Sequence, residues 1–294
     1  MSLVWLLVPA LAILLVLGLN RLIRVSLAAP RVVDDKLPDG LPWQEARIPT
    51  LRGRTLSGWF IPAGDRAPAL AIVHGWGSNA GMMLPLARPL HEAGYAVLLF
   101  DARSHGRSDG DSFASLPRFA EDLEHAFHWL QGRPEVDLRR VGVIGHSVGA
   151  SAALLAASRC PDVAVVVSLA AFAHPATMMR RWLRSKGVPP LLGAYILFYV
   201  QRVIGHRFDD IAPCNTIRRV RCPVLLAHGT EDVTVPVSDA RAIYANRRDD
   251  RVRLLLMPGS HDEYGELETA MKSVIGFVDG VIRPVAQGSD LRRR

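Results

Sequence analysis

A serine between two glycines is the first candidate for chemistry in this sequence. The pentapeptide Gly-His-Ser-Val-Gly occupies residues 145–149, with Ser147 at its centre. The apolar run before it predicts a buried strand, and the alanine-rich residues 150–158 after it predict a helix. A turn of this kind strains the serine backbone, exposes the hydroxyl and aims helix N–H groups at the place where an oxyanion would form. Ser147 is therefore the predicted nucleophile.

Two further polar loops supply the other groups that a serine nucleophile needs. A serine hydroxyl is a weak nucleophile, so a base must take its proton, and a carboxylate must orient that base and stabilise its charge. The loop after one apolar strand carries Asp232, and the loop after the last predicted strand carries His261. We predict these as acid and base. Glu231 is expected to point elsewhere, and Asp262 cannot reach the far ring nitrogen of the histidine beside it.

The oxyanion needs two backbone N–H groups, and the sequence offers a candidate for each. The first is Val148, the residue after the nucleophile, and the second is Trp76 in a His-Gly-Trp-Gly segment at residues 74–77. This segment follows a short apolar strand at residues 69–73, and its glycines allow the backbone to approach a substrate closely. The Trp76 ring is also expected to line the pocket. Gly145 and Gly149, on either side of Ser147, are also expected to be required, because a Cβ at either position would collide with the neighbouring strand or helix.

Strands and helices alternate from residue 69 onward, and the strands are apolar throughout. This pattern predicts an α/β fold with a mostly parallel sheet covered by helices on both faces. Ligands in such sheets bind at the carboxyl ends of the strands, which is where the three candidate loops lie. The predicted boundaries are an N-terminal membrane anchor at residues 1–28, a linker leading into the fold at 29–53, the α/β domain at 54–283 with a cap insert at 171–221, and a tail at 284–294.

These motifs resemble those of serine hydrolases of the α/β-hydrolase superfamily. The chain is similar to the branch that contains monoacylglycerol-lipase-like and serine-aminopeptidase-like proteins and their membrane-anchored bacterial relatives. The matching segments are residues 74–77, 101–108, 145–149, 228–232 and 259–261. Family members usually carry glycine at the position of Ser104, in a loop that we interpret as structural. The resemblance implies an α/β-hydrolase fold and hydrolysis of an ester, a thioester or an amide, without choosing among them.

The predicted cap contains an apolar segment with two open interpretations. Residues 188–200 are 13 apolar residues, too short to span a bilayer, with basic residues on both sides. They could form a helix packed against the body, or a lid that touches the lipid surface and admits an acyl chain. The side chains predicted to line an acyl pocket are Tyr195, Ile196, Phe198 and Tyr199.

An uncharged apolar run near the N-terminus predicts an uncleaved membrane anchor. Residues 3–19 would span about 26 Å as a helix, enough for a bilayer core. A signal peptide cleaved after Ala28 and a core helix of the domain are the alternatives. Arg21, Arg24 and Arg31 follow the run, so the positive-inside rule places the catalytic domain in the cytoplasm.

Composition limits the remaining function classes. The 294 residues are 49% hydrophobic and 21% charged, which predicts a folded core and excludes disorder. The net charge of +7 suits an anionic membrane surface, and no nucleic-acid motif accompanies it. Three widely spaced cysteines predict reduced structural thiols, and no Cys/His cluster has metal spacing, so no metal or other cofactor is expected.

The function predicted from these observations is hydrolysis of an acyl ester or thioester of an apolar, lipid-like substrate. One alternative is a serine exopeptidase, which would need a carboxylate near the cap to hold the substrate amine; Asp209 and Asp210 are the acids available there. The other alternative is a binding protein that keeps the fold without turnover, against which the complete set of three catalytic residue types argues. The oligomeric state is left open.

Overall fold

The structure is a computed structural model that describes residues 4–262 and 267–283. The predictions for the first three residues of the anchor and for the tail at 284–294 lie outside the described residues.

A mostly parallel sheet forms the centre of the molecule. Within the described residues its strand order is β1-β2-β4-β3-β5-β6-β7-β8. β2 is antiparallel to both β1 and β4, and all the other neighbouring strands are parallel. The strands are β1 (Gln44–Thr50), β2 (Arg54–Ile61), β3 (Ala67–Val73), β4 (Ala96–Phe100), β5 (Val136–His146), β6 (Val166–Leu169), β7 (Val224–Gly229) and β8 (Val252–Met257).

Helices cover both faces of this sheet. In chain order they are α1 (Val4–Ser26), α2 (Leu84–Glu92), α3 (Leu116–Gln131), α4 (Val148–Ala157), α5 (Pro175–Ser185), α6 (Pro190–Ile204), α7 (Phe208–Ile211), α8 (Pro213–Thr216), α9 (Val237–Ala245) and α10 (Leu267–Ile282). Helices α3, α4 and α9 contribute to the core on one face, and α2 and α10 contribute to the core on the other. Alternate residues of β3 divide between these two cores, as a strand buried on both sides requires.

This architecture confirms the predicted α/β-hydrolase fold and its helical cap insert. The insert lies between β6 and β7 and consists of α5 to α8. Helix α3 follows a clear apolar period, which is the pattern that predicts an amphipathic helix.

The sheet begins earlier than the sequence predicted. Residues 29–53 were assigned to a linker, yet β1 lies within them and pairs along its whole length with β2. Alternate residues of β1, including Ala46 and Ile48, are buried. Pro49 obscured this strand, because proline removes a ladder hydrogen bond, but an edge strand tolerates it. The α/β domain therefore starts at β1 rather than at residue 54.

Helix α1 continues beyond the predicted apolar run and ends at Ser26. Within the described residues, one helix segment, Leu7–Ser26, is long and apolar enough to cross a membrane, and 6% of its most apolar stretch is buried. Its first turns are exposed, whereas Ile23 near its end is only 4% exposed. The end of α1 therefore packs on the domain, while the apolar side chains of residues 7–17 are mostly exposed.

Candidate active site

Ser147 is the residue that turns the chain from β5 into α4. Its φ of 56° and ψ of −114° lie outside the regions that non-glycine residues ordinarily occupy. A Cβ on Gly145 would lie 2.1 Å from the carbonyl oxygen of Gly149, and a Cβ on Gly149 would lie 2.4 Å from the carbonyl oxygen of His74. Backbone atoms cannot move aside as a flexible side chain can, so both positions require glycine, and the predicted collisions are confirmed.

The structure brings Ser147, His261 and Asp232 together at the carboxyl end of the sheet. The Ser147 Oγ atom lies 3.0 Å from Nε2 of His261, and Nδ1 of that ring lies 2.7 Å from Oδ2 of Asp232. When Nδ1 donates its proton to the carboxylate, Nε2 is free to accept the proton of the serine hydroxyl. The geometry therefore suits removal of the hydroxyl proton and attack by the oxygen on an electrophilic carbon.

The loop after β7 holds the Asp232 carboxylate, and the side chain of Asp232 is fully buried. Its Oδ1 atom accepts the backbone N–H groups of Thr234 at 2.9 Å and Val235 at 2.7 Å. Nε2 of His228 donates to the carbonyl oxygen of Val235 at 2.7 Å and lies 3.3 Å from Oδ2 of Asp232. These contacts leave Oδ2 facing His261 and fix the direction of the carboxylate.

Two histidines without a role in the sequence interpretation contact the candidate triad. One is His228, beside Asp232. The other is His146, whose Nε2 donates to the backbone carbonyl of His261 at 2.9 Å. Burial lowers the pKa of His146, which keeps the ring neutral near pH 7. The sequence could have indicated these two histidines only by their positions next to candidate residues. His146 directly precedes Ser147, and His228 begins the loop that carries Asp232.

Both predicted oxyanion donors belong to segments that border the nucleophile. A Cβ on Gly75 would lie 3.1 Å from the Ser147 Cβ, so the loop after β3 runs directly against the serine. Trp76 is the next residue in that loop. Val148 is the first residue of α4, where a backbone N–H has no partner within the helix.

The ring of His74 supports the loop that carries Trp76. Its Nδ1 donates to the carbonyl oxygen of Gly75 at 2.6 Å, and its Nε2 accepts the N–H of Ala102 at 3.1 Å. Burial, with a smaller contribution from His105, lowers the pKa of His74 to about 3. The neutral ring therefore joins this loop to the loop at residues 101–108, in agreement with the structural role expected for the latter.

The departure from the family pattern at Ser104 has a conformational explanation. Its φ is 67°, in the left-handed region where glycine is favoured. The Ser104 Oγ atom accepts the N–H of Asp111 at 2.8 Å. This local hydrogen bond offsets part of the backbone strain that a non-glycine residue incurs there.

A cavity of about 1100 Å³ opens at Ser147 and His261. Most of its wall is apolar and comes from three regions of the chain, namely the body of the domain, the cap and α1. Representative wall residues are Met83, Leu86 and Leu116 of the body, Leu183, Ile196 and Val200 of the cap, and Leu19, Leu22 and Ile23 of α1. A cavity of this size and character suits a long apolar group bound beside the nucleophile.

Comparisons with known proteins agree with the fold. A family model described as serine aminopeptidase, S33, matches residues 64–207. An uncharacterised protein of Mycobacterium tuberculosis is 29% identical over 227 residues, which cover 76% of this chain and 72% of that protein. A polyketide transferase of Penicillium sp. is 33% identical over 133 residues, which cover 44% of this chain and 45% of that protein.

Among solved structures, the esterase Pf2001 of Pyrococcus furiosus superposes with a TM-score of 0.70 at 25% identity, covering 86% of this chain and 96% of that chain. The chain belongs to the α/β-hydrolase superfamily. It is an α/β-hydrolase-type enzyme, as its motifs predicted.

The hydrolase does not use the predicted aromatic residues of the cap to line its cavity. The Tyr195 hydroxyl donates to Oδ1 of Asn20 at 2.7 Å, and Nε of Arg24 donates to the Tyr199 hydroxyl at 2.9 Å, so both tyrosines pack on α1. Phe198 is 53% exposed. The prediction of these three as pocket residues is corrected, because α6 turns a different face to the cavity; that face carries Leu192, Ile196, Val200 and Ile204.

The acids of the cap are engaged outside the cavity of the hydrolase. Oδ1 of Asp209 lies 3.0 Å from Nε2 of His174, and its Oδ2 lies 3.8 Å from Nη2 of Arg207. Neither Asp209 nor Asp210 lines the cavity. Over residues 4–262 and 267–283, the carboxylate on the cavity wall is that of Asp262, which lies at the edge of the active site.

Within the part of the chain that the structure describes, one cluster could hold a metal ion. Potential ligand atoms of His146, His261 and Asp262 lie within 4.8 Å of one another. Both nitrogens of the His261 ring already contact Asp232 and Ser147. A metal bound there would withdraw this ring from the nucleophile, so the cluster fits inhibition better than catalysis.

Proposed function

We propose that this hydrolase is a membrane-anchored serine hydrolase that cleaves an acyl ester or thioester of an apolar substrate. The observation that carries the proposal is the chain of hydrogen bonds from Ser147 through His261 to Asp232 at the floor of a large apolar cavity. A nucleophile of this kind attacks acyl carbonyl groups, and an apolar cavity beside it stabilises the acyl chain.

In the proposed first step, Ser147 Oγ attacks the carbonyl carbon while Nε2 of His261 accepts the hydroxyl proton. The Asp232 carboxylate stabilises the resulting imidazolium and keeps its orientation. The carbonyl oxygen becomes an oxyanion, which the N–H groups of Trp76 and Val148 hold. His261 then donates its proton to the leaving alcohol or thiol as the bond to the acyl carbon breaks, and an acyl-enzyme remains.

In the proposed second step, water replaces the leaving group. His261 accepts a proton from the water, the resulting oxygen nucleophile attacks the acyl carbon, and a second oxyanion forms in the same hole. The bond to Ser147 Oγ breaks, and His261 returns the proton to that oxygen. The net reaction adds water across the ester bond and regenerates the enzyme.

The cavity supports an acyl ester over a peptide with a free amino terminus. An exopeptidase needs an anionic group to hold the substrate ammonium; the two acids of the cap lie away from the cavity, and the carboxylate of Asp262 lies at the edge of the active site. Each CH₂ group of an acyl chain buried in an apolar wall stabilises the complex by about 0.8 kcal/mol. We therefore expect specificity to rise with acyl length until the cavity is filled.

The end of α1 supports an uncleaved anchor. The alternative was a signal peptide cut after Ala28, but α1 and the residue after it contribute Leu19, Ile23 and Leu27 to the cavity wall. Cleavage would remove that wall and expose the apolar surfaces that it covers. The catalytic domain is proposed to face the cytoplasm, because three arginines follow the apolar run.

The experiment that tests the function is a series of p-nitrophenyl esters from acetate to dodecanoate with full-length protein in detergent. We expect hydrolysis with a kcat/KM that rises with chain length, and a loss of several orders of magnitude in Ser147→Ala. Hydrolysis that persists at the wild-type rate in Ser147→Ala would refute the proposed nucleophile. Resistance of the wild-type protein to carbonate extraction from membranes tests the anchor separately.

A further inference from the structure

The end of α1 is part of the wall of the active-site cavity. The residues that line it are Leu19, Leu22, Ile23, Ser26 and Leu27. Their spacing of three and four residues places them on one stripe of the helix and on the residue that follows it. The stripe belongs to the same cavity as Ser147 and His261.

Helix α1 is fixed to the cap by a second row of contacts. Asn20 accepts the hydroxyl of Tyr195, and Arg24 donates to the hydroxyl of Tyr199, at 2.7 Å and 2.9 Å. Asn20 and Arg24 lie four residues apart on α1, and their partners on α6 are also four residues apart. The two helices therefore run side by side for at least one turn. The two helices together form one continuous wall.

The chain after α1 is also docked on the domain. The carbonyl oxygen of Leu27 accepts the N–H of Ala114 at 3.0 Å, and Arg31 donates to the carbonyl oxygen of Ser108 at 2.9 Å. Pro30 lies so close to Gly77 that a Cβ there would be 2.9 Å from the proline Cγ. The segment therefore holds α1 in place beside the loop that carries Trp76.

The same helix continues without a break into its exposed apolar part. Residues 7–17 carry large apolar side chains that are mostly exposed, and α1 has no linker before its cavity-lining stripe. If residues 7–17 lie in a bilayer, the stripe stands where the helix leaves it. Leu22, which is 65% exposed and lines the cavity, marks the side of the cavity next to that boundary.

The cap shares the cavity with α1 and carries an exposed surface with the composition of a membrane interface. Trp182 of α5 and Leu191 of α6 are exposed, and Arg180, Arg184 and Lys186 lie in α5 or directly after it. Exposed tryptophan and leucine with arginine and lysine nearby are typical of surfaces that rest at the headgroup level.

From these contacts we propose that the substrate is a long-chain acyl ester resident in the bilayer, and that its acyl chain enters the cavity along α1 past Leu22. The proposal rests on the proposed serine hydrolase function and assigns α1 a second role as the acyl-binding wall. The ester carbonyl would then reach Ser147 while the chain remains in contact with apolar side chains, so that it is never fully exposed to water.

A matched pair of substitutions on α1 tests the wall. Leu22 and Val25 are both apolar and similarly exposed, at 65% and 61%, but of these two Leu22 lines the cavity. Glutamine is a good helix former, so Leu22→Gln and Val25→Gln keep α1 helical and make each site polar. We expect Leu22→Gln to lower the octanoate-to-acetate ratio of kcat/KM about tenfold, because each CH₂ that loses its apolar contact costs about fourfold.

Val25→Gln is expected to change that ratio by less than about twofold, because Val25 does not line the cavity. Any effect of a polar residue on membrane anchoring should be the same in both variants. Equal ratios in the two variants would overturn the proposal. The ratio is insensitive to the fraction of folded enzyme, because both esters are measured on the same preparation.

A second measurement uses the wild-type, full-length protein in phosphatidylcholine vesicles. A fluorogenic oleate ester is placed either in the same vesicles as the enzyme or in separate ones. We expect an initial rate about tenfold higher or more in the shared bilayer, and a smaller advantage in Leu22→Gln than in Val25→Gln. Equal rates in both arrangements would overturn entry from the bilayer. If the wild-type enzyme does not hydrolyse a water-soluble acetate ester at all, the serine hydrolase function itself is refuted.

Discussion

The catalytic end of the sheet and the wall formed by α1 and α6 are held by different kinds of contact. At the sheet, backbone groups fix the chemistry: Thr234 and Val235 hold Asp232, and the carbonyl of His261 is held by His146. At the wall, side chains pack on side chains, with two long-range hydrogen bonds between the helices.

This difference has a functional consequence. Backbone contacts within short loops leave little freedom, so the distances among the three catalytic groups are set to within hydrogen-bonding tolerance. Side-chain packing of two helices permits small shifts, which suits a wall that accepts chains of different length. Changes at the sheet should therefore have large effects on every substrate, whereas changes at the wall should have small, length-dependent effects.

The largest effect is expected for Asp232→Asn. The amide keeps the shape of the carboxylate but loses its charge and disturbs the tautomer of His261, so kcat should fall by up to about 10⁴-fold on every ester. Glu231→Gln is the matched control, because Glu231 is the adjacent, exposed acid. If Glu231→Gln causes the greater loss, the acid has been assigned to the wrong residue.

The same substitution in the two regions should have opposite effects on stability. Gly149→Ala places a Cβ 2.4 Å from a backbone oxygen and should cost about 3 kcal/mol, which lowers the melting temperature by about 10 °C. Gly193→Ala in α6 meets nothing closer than a Leu183 methyl group at 3.8 Å and should stabilise by about 0.5–1 kcal/mol. The melting temperatures of the two variants and of the wild type test this prediction. Shifts of similar sign and size would contradict the idea that the sheet end is held more rigidly than the wall.

Acid sensitivity should be concentrated at the sheet. The pKa of His74 is about 3 in the folded protein and 6.5 ordinarily, so the unfolded chain binds one more proton between these values. The resulting contribution to the free energy of unfolding is complete above pH 6.5. It is lost as the pH falls toward about 3, at up to about 1.4 kcal/mol per pH unit.

Urea unfolding at several pH values measures that slope in the wild type and in His74→Gln. The other titrating groups are common to both proteins, so the difference between the slopes isolates His74. We expect the free energy of unfolding to change less steeply with pH in the variant, by up to about 1.4 kcal/mol per pH unit, which corresponds to one proton. Identical slopes would show that His74 is protonated normally in the folded state.

The smallest effect is expected within the wall itself. Ile196 lines the cavity and Phe198 does not, although they are two residues apart on α6. Ile196→Ala should lower the octanoate-to-acetate ratio of kcat/KM by about three- to tenfold, and Phe198→Ala should leave it within about twofold. A larger fall in Phe198→Ala would restore the aromatic pocket that the sequence suggested.

The sheet and the meeting of the three candidate catalytic residues could be predicted because each depends on local patterns. Continuous apolar runs mark the parallel strands, and the carboxyl ends of such strands share one edge, so Ser147, Asp232 and His261 were expected to meet before any distance was known. The positive φ at Ser104 was not predicted, although the glycine that the family usually carries there is a signal for it.

Apart from Ile196, the wall could not be predicted because its residues are chosen by tertiary packing. The α6 sequence is apolar around most of its circumference, so its period does not show which face meets the cavity. The role of α1 depends on a contact between residues 175 positions apart, Asn20 and Tyr195. The edge strand β1 was missed for a local reason, the proline near its end.

The central claim is that Ser147 is the nucleophile of an acyl-enzyme, and covalent labelling tests it most directly. Full-length protein treated with a fluorophosphonate should gain the mass of one adduct, and peptide mapping should place that adduct on Ser147. Asp232→Asn should label much more slowly, because His261 activates the hydroxyl less well. An adduct on a different serine, or no adduct on a folded protein that still hydrolyses esters, would contradict the account.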